Sequence, residues 1–361
     1  MGIELFRGIA ALMVLLTHYA RFISSDNSAL AFLWTGVDLF FVISGYVFAP
    51  MVLGPKTRGE ASGKNHVTAY LLRRFFRLYP LYLFALILYY FFSPAAPEKL
   101  GYFIRHLFFL HTTASTTEAY FFNPAFWSLP VEVEFYLALP LLALLGGSAR
   151  KLGLLFGLSL LLGMSLNYLR GPEDLFRVLS VHLTGILPEF IVGIFLHQAV
   201  QRTCTWPLAL LVALLGAGII SADFLLRYGD MAVETNALLN APFNFMAALG
   251  YALLMFPVLR IRDTAYPSWL ASLALLSGAL SYGVYLFHNL MPRILLRLGM
   301  EQQQGWAFFL LCTFLTLAMA LLCYHFLENP ARQYGRRLSA RQLGRAGDAD
   351  MIKRQATLRK P

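Results

Sequence analysis

Long apolar runs separated by short polar turns recur along the chain, and each is close to the roughly twenty residues that a lipid core requires of one crossing helix. The pattern predicts about ten spans, at residues 3–24, 31–53, 72–93, 126–146, 152–170, 177–199, 206–226, 238–258, 269–292 and 305–327. Residues 102–111 are apolar but short, and Arg105 and His106 interrupt them. That stretch is expected to lie at the interface or to re-enter it. From residue 332 to 361 the chain is basic, polar and aperiodic, the pattern of a disordered or lipid-surface-bound tail. The expected architecture is an all-α integral membrane bundle, residues 1–331, with one interfacial or re-entrant segment and a basic tail.

Composition excludes a soluble enzyme. The chain is 58% hydrophobic and 13% charged, whereas a soluble domain carries about a quarter charged residues. Glu4 and Arg7 precede the first apolar run, and no small-residue cleavage site precedes the turn after it, so that run is expected to be a span rather than a cleaved signal. Positive charge clusters at alternate loops: Arg7, the 54–77 segment, Arg150 with Lys151, Arg202, Arg260 with Arg262, and the tail. The positive-inside rule then places both termini in the cytoplasm. It also accounts for the net charge of +10 with no nucleic-acid partner. Cys312 and Cys323 sit eleven residues apart on one expected helix, roughly 16 Å, too far to bridge.

Candidate chemistry starts with ionisable residues inside the spans, each of which costs a few kcal/mol in lipid unless paired or wetted. Residues 7–45 read as a helical hairpin carrying Arg7, His18 and Asp38. Arg7 and His18 lie eleven residues apart, close to three turns, so both face one way about 16 Å apart. Counted from the turn, His18 and Asp38 are expected at similar depth on neighbouring helices. A buried carboxylate beside a histidine holds its tautomer and lets it take a proton from an alcohol. No serine or cysteine pairs with His18, which favours direct attack by the acceptor hydroxyl on an activated acyl group.

Three further stretches join the hairpin. Arg74 and Arg77, with Arg73 alongside, stand at the expected cytoplasmic mouth of the third span, and guanidinium pairs at this spacing suit phosphate as well as they suit membrane anchoring. Glu132 and Glu134 enter the fourth span two residues apart, on different faces, so one of them is expected to point toward the His/Asp pair. Trp127 marks the boundary of that span. Ser281, Tyr282 and His288 interrupt the ninth span and are candidate substrate contacts. No His, Cys, Asp or Glu set has metal-ligand spacing, so no metal is expected. A donor with phosphates at one end and a thioester at the other fits the distance from Arg7 to His18, which points to acyl-CoA.

The stretches RGIAALMVLLTH, GVDLFFVISGY, RRFFRLYP, WSLPVEVEFYL and SYGVYLFH together resemble the membrane acyltransferase-3 family over nearly the whole chain. The resemblance implies about ten membrane helices in a bacterial inner membrane and transfer of an acyl group, commonly acetyl from acetyl-CoA, to an extracytoplasmic carbohydrate or glycolipid. It implies His18 as catalytic base with Arg7 as its motif partner, Asp38 as a second essential acid, Arg74 and Arg77 as donor-binding arginines, and Glu132 as the glutamate of the Trp-Ser-Leu motif. Val133 and Glu134 depart from the Glu-Gln or Trp-Gln pair of many members. The competing expectation is a transporter or flippase of a lipid-linked or anionic metabolite, with the same charges lining a path.

Overall fold

The computed structural model describes residues 1–23, 27–53, 64–144, 148–169, 181–229, 240–300 and 305–343. Lys56 and Arg58 of the expected basic loop, and the tail beyond residue 343, lie outside the described residues. The order of elements is helical throughout. α1 (Gly2–Ile23) opens the chain. α2 (Ser28–Phe32) starts at Asn27, whose side chain accepts from the Leu30 N–H at 3.1 Å. One 3₁₀ turn (Leu33–Thr35) then carries it into α3 (Gly36–Leu53), giving a single apolar rod. α4 (Lys64–Phe92) is followed by the short α5 (Lys99–Leu107) and α6 (Thr116–Tyr120), and by a 3₁₀ turn (Pro124–Trp127) that enters α7 (Ser128–Leu144). Next come α8 (Ala149–Leu169), α9 (Leu183–Val200), α10 (Trp206–Tyr228), α11 (Asn240–Leu259), α12 (Ser268–Phe287) and α13 (Leu290–Arg297). α14 (Trp306–Cys323) passes through a π-helical turn (Tyr324–Glu328) into α15 (Asn329–Gln342).

Among the described residues, eight helices are long and apolar enough to cross a membrane, against the ten expected. The fifth and eighth expected spans are helices too, α8 and α11, the latter represented by the shorter apolar stretch Phe245–Leu259. The outer surface carries leucines at helical spacing, such as Leu137, Leu141 and Leu144 on α7, all well exposed. An apolar face turned outward is what lipid contact selects. Residues 102–111 do not cross: α5 is nine residues long. His106, in its last turn, stacks in parallel on His111 with ring centroids 3.8 Å apart.

The expected tail is corrected in part. Residues 332–342 continue the last helix, and α15 lies along α4. Gly335 and Ser339, one turn apart, form its buried side. Phe76 of α4 packs on Gly335, the rings of Phe76 and Tyr334 meet edge-on at 5.1 Å, and Arg73 donates to the Ser339 hydroxyl. A helix face made of small and polar residues leaves no hydrophobic period in the sequence, which is why this stretch reads as aperiodic.

Close backbone approach fixes the centre of the bundle. A Cβ at Gly45 would collide with the Phe190 carbonyl, and one at Gly193 with the Val42 carbonyl. α3 and α9 therefore touch main chain to main chain. Gly36 brings the start of α3 against α1, where a Cβ would lie 2.8 Å from the Ala10 carbonyl oxygen and 2.9 Å from Met13 Cβ.

Two stability predictions follow from these contacts. Gly45→Val is expected to lower the unfolding temperature sharply, by at least the ~1–3 kcal/mol of an overpacked core, or to prevent folding, in thermal unfolding of detergent-solubilised protein; an unchanged transition would contradict the backbone contact. Burial lowers the pKa of His111, outside the spans, to about 4, against its hydrogen bond to the Phe126 carbonyl. The unfolded chain then binds the extra proton between pH ~6.5 and the folded value, so stability falls as pH drops through that window, by roughly 3 kcal/mol. His111→Gln is expected to flatten this dependence, and an identical pH slope in both proteins would contradict it.

Candidate active site

A cavity of about 200 Å³ opens among α1, α3, α4, α7 and α12. It gathers Arg7, Arg74, Arg77, Glu132, Ser281 and Tyr282, six of the residues expected from the sequence, from four separate helices. The three arginines are not equivalent. Arg7 pairs with Glu4 at 3.3 Å on its own helix. Arg77 pairs with the buried Glu328 of the π-helical turn and lies 5.5 Å over the Tyr282 ring. Arg74 meets rings instead, Phe48 at 5.1 Å and Tyr136 at 5.9 Å, and its buried Nε has no hydrogen-bond partner among the described residues. Arg73, one residue earlier and about 100° around the helix, is turned away to Ser339 and does not line the cavity.

Glu132 and Glu134 separate as their spacing demands. Glu132 lines the cavity and accepts from the Tyr136 hydroxyl. Glu134 accepts from His182 Nδ1 and from the Leu183 N–H at 2.7 Å, so it caps α9 from outside the cavity. Its hydrogen bond and charge hold the His182 pKa up against burial. Neither glutamate reaches a His18–Asp38 pair. Trp127 is half-buried, edge-on to Phe41 at 6.2 Å, and does not line the cavity. Ser281 donates to the Gly278 carbonyl at 2.8 Å and Tyr282 to the Leu78 carbonyl at 2.9 Å.

His18 and Asp38 do not pair, and two contacts explain why. The Thr17 hydroxyl donates to the Ala31 carbonyl at 2.9 Å, which sets those residues level. Asp38 lies seven residues beyond Ala31, about 10 Å further along the helix. The count from the turn fails because the end of α1 runs past α2 to meet Gly305, whose N–H donates to the Phe22 carbonyl at 2.5 Å. Direction differs as well. Gly36 faces α1, and a residue two further on points roughly 200° away. Asp38 instead lies fully buried beside Glu189 of α9 and near Asp223 and Arg227 of α10. Arg227 Nε donates to Asp223 Oδ1 at 2.9 Å, and the hydroxyls of Thr35 and Tyr251 meet at 2.6 Å nearby.

The neighbour of His18 is His288, with ring centroids 4.8 Å apart. His18 Nδ1 lies 2.8 Å from the Val14 carbonyl oxygen. A carbonyl only accepts, so Nδ1 carries the proton and Nε2 the lone pair. The backbone thus fixes the tautomer, the task the sequence reading gave to Asp38. No described residue bonds Nε2, and the side chain is half-buried. His288 is fully buried and fixed in turn. Its Nδ1 donates to the Val284 carbonyl at 3.2 Å, and its Nε2 accepts from Asn289 at 2.9 Å, which also donates to Asn123 at 2.9 Å. Tyr19 donates to the His288 carbonyl at 2.6 Å and meets the Thr316 hydroxyl at 2.9 Å.

The cavity stops one aromatic layer short of this pair. Neither histidine lines it, while Tyr285, which does, has its ring 6.2 Å from His288. Ser128 and the Ala125 carbonyl, each 2.5 Å from the Tyr285 hydroxyl, hold that ring in place. Tyr19, Asn123, Tyr285, Asn289 and Glu328 carried no signal in a single sequence, because each acts through a partner more than a hundred residues away. Among the described residues, no group of three or more His, Cys, Asp or Glu side chains is arranged to hold a metal ion.

A model of the acyltransferase domain matches residues 2–325. The chain belongs to the acyltransferase-3 family. No curated protein and no solved structure matches it. Membership makes the protein a multi-pass membrane acyltransferase.

Glu328 is the counter-charge of a buried cation. Glu328→Ala is expected to destabilise the protein by about 3–5 kcal/mol, the cost of stranding one member of a buried ion pair, and the double variant with Arg77→Met to recover part of it. Equal unfolding temperatures for wild type and Glu328→Ala would contradict the pairing.

Proposed function

We propose that the protein transfers an acyl group, acetyl, from acyl-CoA to a hydroxyl of an extracytoplasmic carbohydrate, with His18 as general base. The observation that carries this reading is the buried Nε of Arg74, without a hydrogen-bond partner among the described residues, in a cavity lined by Arg7 and Arg77 and by Tyr285, the neighbour of His288. A half-buried guanidinium with an open hydrogen-bonding edge suits a phosphate. The remaining lining is mostly apolar and the cavity holds only about 200 Å³, which suits a slender arm rather than a bulky group. The arginine end faces the cytoplasm under the positive-inside assignment, so the donor arrives from inside. Glu132 stands along the donor path and accepts a hydrogen bond from the arm.

His18 Nε2 is the free basic nitrogen. It takes the proton of the acceptor hydroxyl as the oxygen attacks the thioester carbonyl; the carbon–sulfur bond breaks and the thiolate leaves, to be protonated from the imidazolium. His288, held as a neutral ring, keeps His18 oriented without adding a charge. Phe40 and Tyr285 have to part for the thioester to arrive, so the resting enzyme keeps the base shielded from the donor side.

Purified protein in nanodiscs, supplied with radiolabelled acetyl-CoA, tests the reading. His18→Ala is expected to lower acetyl transfer by about 10²–10⁴ with acetyl-CoA binding retained. Arg74→Ala is expected to weaken acetyl-CoA binding about tenfold with kcat less affected. Full transfer by His18→Ala would reject the base, and solute movement by wild-type protein with no transfer would support a transporter instead.

A further inference from the structure

Beyond His18, at the end of α1 away from the cavity, stands a second group of cations. Arg21 follows His18 by three residues, nearly one turn, so the two side chains share a face. His18 meets the His288 ring at 4.8 Å, and Arg293 follows His288 by five residues in the helix that starts at Leu290, so both arginines stand about one turn from the histidine pair. Arg21 is exposed and leans on the Phe22 ring at 5.0 Å, and it meets no carboxylate among the described residues. Arg293 of α13 is half-buried among neutral partners. It donates to the Ser93 hydroxyl at 2.6 Å and to the Phe121 carbonyl at 3.4 Å, and lies 5.4 Å over the Tyr89 ring. Lys99 joins from α5, its ammonium donating to the Ser93 carbonyl at 2.8 Å.

Cations drawn together beside a histidine repel one another, and in partly desolvated surroundings that repulsion weighs more than in water. An anion placed among them relieves that repulsion. We infer that the acceptor binds at this end through a carboxylate or phosphate carried close to the hydroxyl that is acylated, with Arg21 and Arg293 as the residues that select it. This rests on His18 being the base of the proposed transfer, because the base then sits between the donor cavity and the anion site. Forked guanidinium donors fit either oxyanion. The same geometry disfavours a neutral saccharide, whose hydroxyls leave both charges uncompensated.

The test uses the whole chain in phosphatidylcholine nanodiscs, with trigalacturonate, glucose 6-phosphate and neutral maltotriose as probes. Equilibrium binding of each and acetyl transfer to each are measured in wild type, Arg21→Gln, Arg293→Gln and the double variant. At least one anionic probe is expected to bind about tenfold more tightly than maltotriose, the scale of one charge-assisted hydrogen bond. That preference is expected to shrink in each single variant and vanish in the double one, with acetyl-CoA affinity unchanged as the sign of an intact fold. Equal binding of charged and neutral probes would overturn the inference. A preference surviving the double variant would also overturn it, leaving the two arginines as anchors on lipid phosphates. Charge-selective, arginine-dependent binding without any acetyl transfer would uphold the anion site and reject the acyl-transfer reading.

Discussion

A charged side chain inside a hydrocarbon slab has to meet an opposite charge, a hydrogen-bonding partner or water, and that demand orders this bundle. Arg77 meets Glu328, Arg227 meets Asp223, and Arg7 meets Glu4. These pairs tie α4 to the turn before α15 and fix rotamers within α10 and α1. Arg74 and Arg21 behave otherwise, leaning on aromatic rings without a carboxylate among the described residues. They stand at opposite ends of the space around His18. The paired arginines have their charge met within the protein, and in the proposed reaction the unpaired ones receive ligand charge.

Backbone contact decides which way the buried groups turn. The glycine approach between α3 and α9 draws Asp38 toward Glu189 and leaves α1 free to pack its imidazole on α12's end. His18 owes its tautomer to the Val14 carbonyl on its own helix, a partner that stays put whatever the neighbouring helices do. Tyr285 lines the cavity with Phe40 and stands 6.2 Å from His288, part of a wall that neither histidine joins. In the proposed reaction that wall is the gate, because it has to yield before donor and acceptor share one space.

Most of the helices were legible from apolar run length, and residue type singled out Arg7, Arg74, Arg77, Glu132, Ser281 and Tyr282 against apolar neighbours, but Glu132 was expected beside the His/Asp pair and instead lines the cavity with the arginines. The His18–Asp38 pairing was misread because depth was counted from the turn, while α1 and α2 end at different levels and α3 presents its glycine, not its aspartate, to α1. Arg73 and Arg74 looked alike in sequence, yet a rotation of about 100° per residue sends one to α15 and the other to the cavity. The last helix escaped because its contact face is built from Gly335 and Ser339. The role of His288 lay in its distance from His18, which no single sequence encodes.

The central claim is that a donor entering at the arginine cavity delivers its thioester to His18. A cryo-EM structure of the protein in nanodiscs with a non-hydrolysable acetyl-CoA analogue measures this directly. The account predicts phosphate density at Arg74, the Tyr285 and Phe40 rings displaced, and the acyl carbon within about 4 Å of the volume in front of His18 Nε2, the reach of an attacking hydroxyl held by that nitrogen. An analogue whose acyl end lies beside Asp38 and Glu189, or anywhere out of reach of His18, would contradict it.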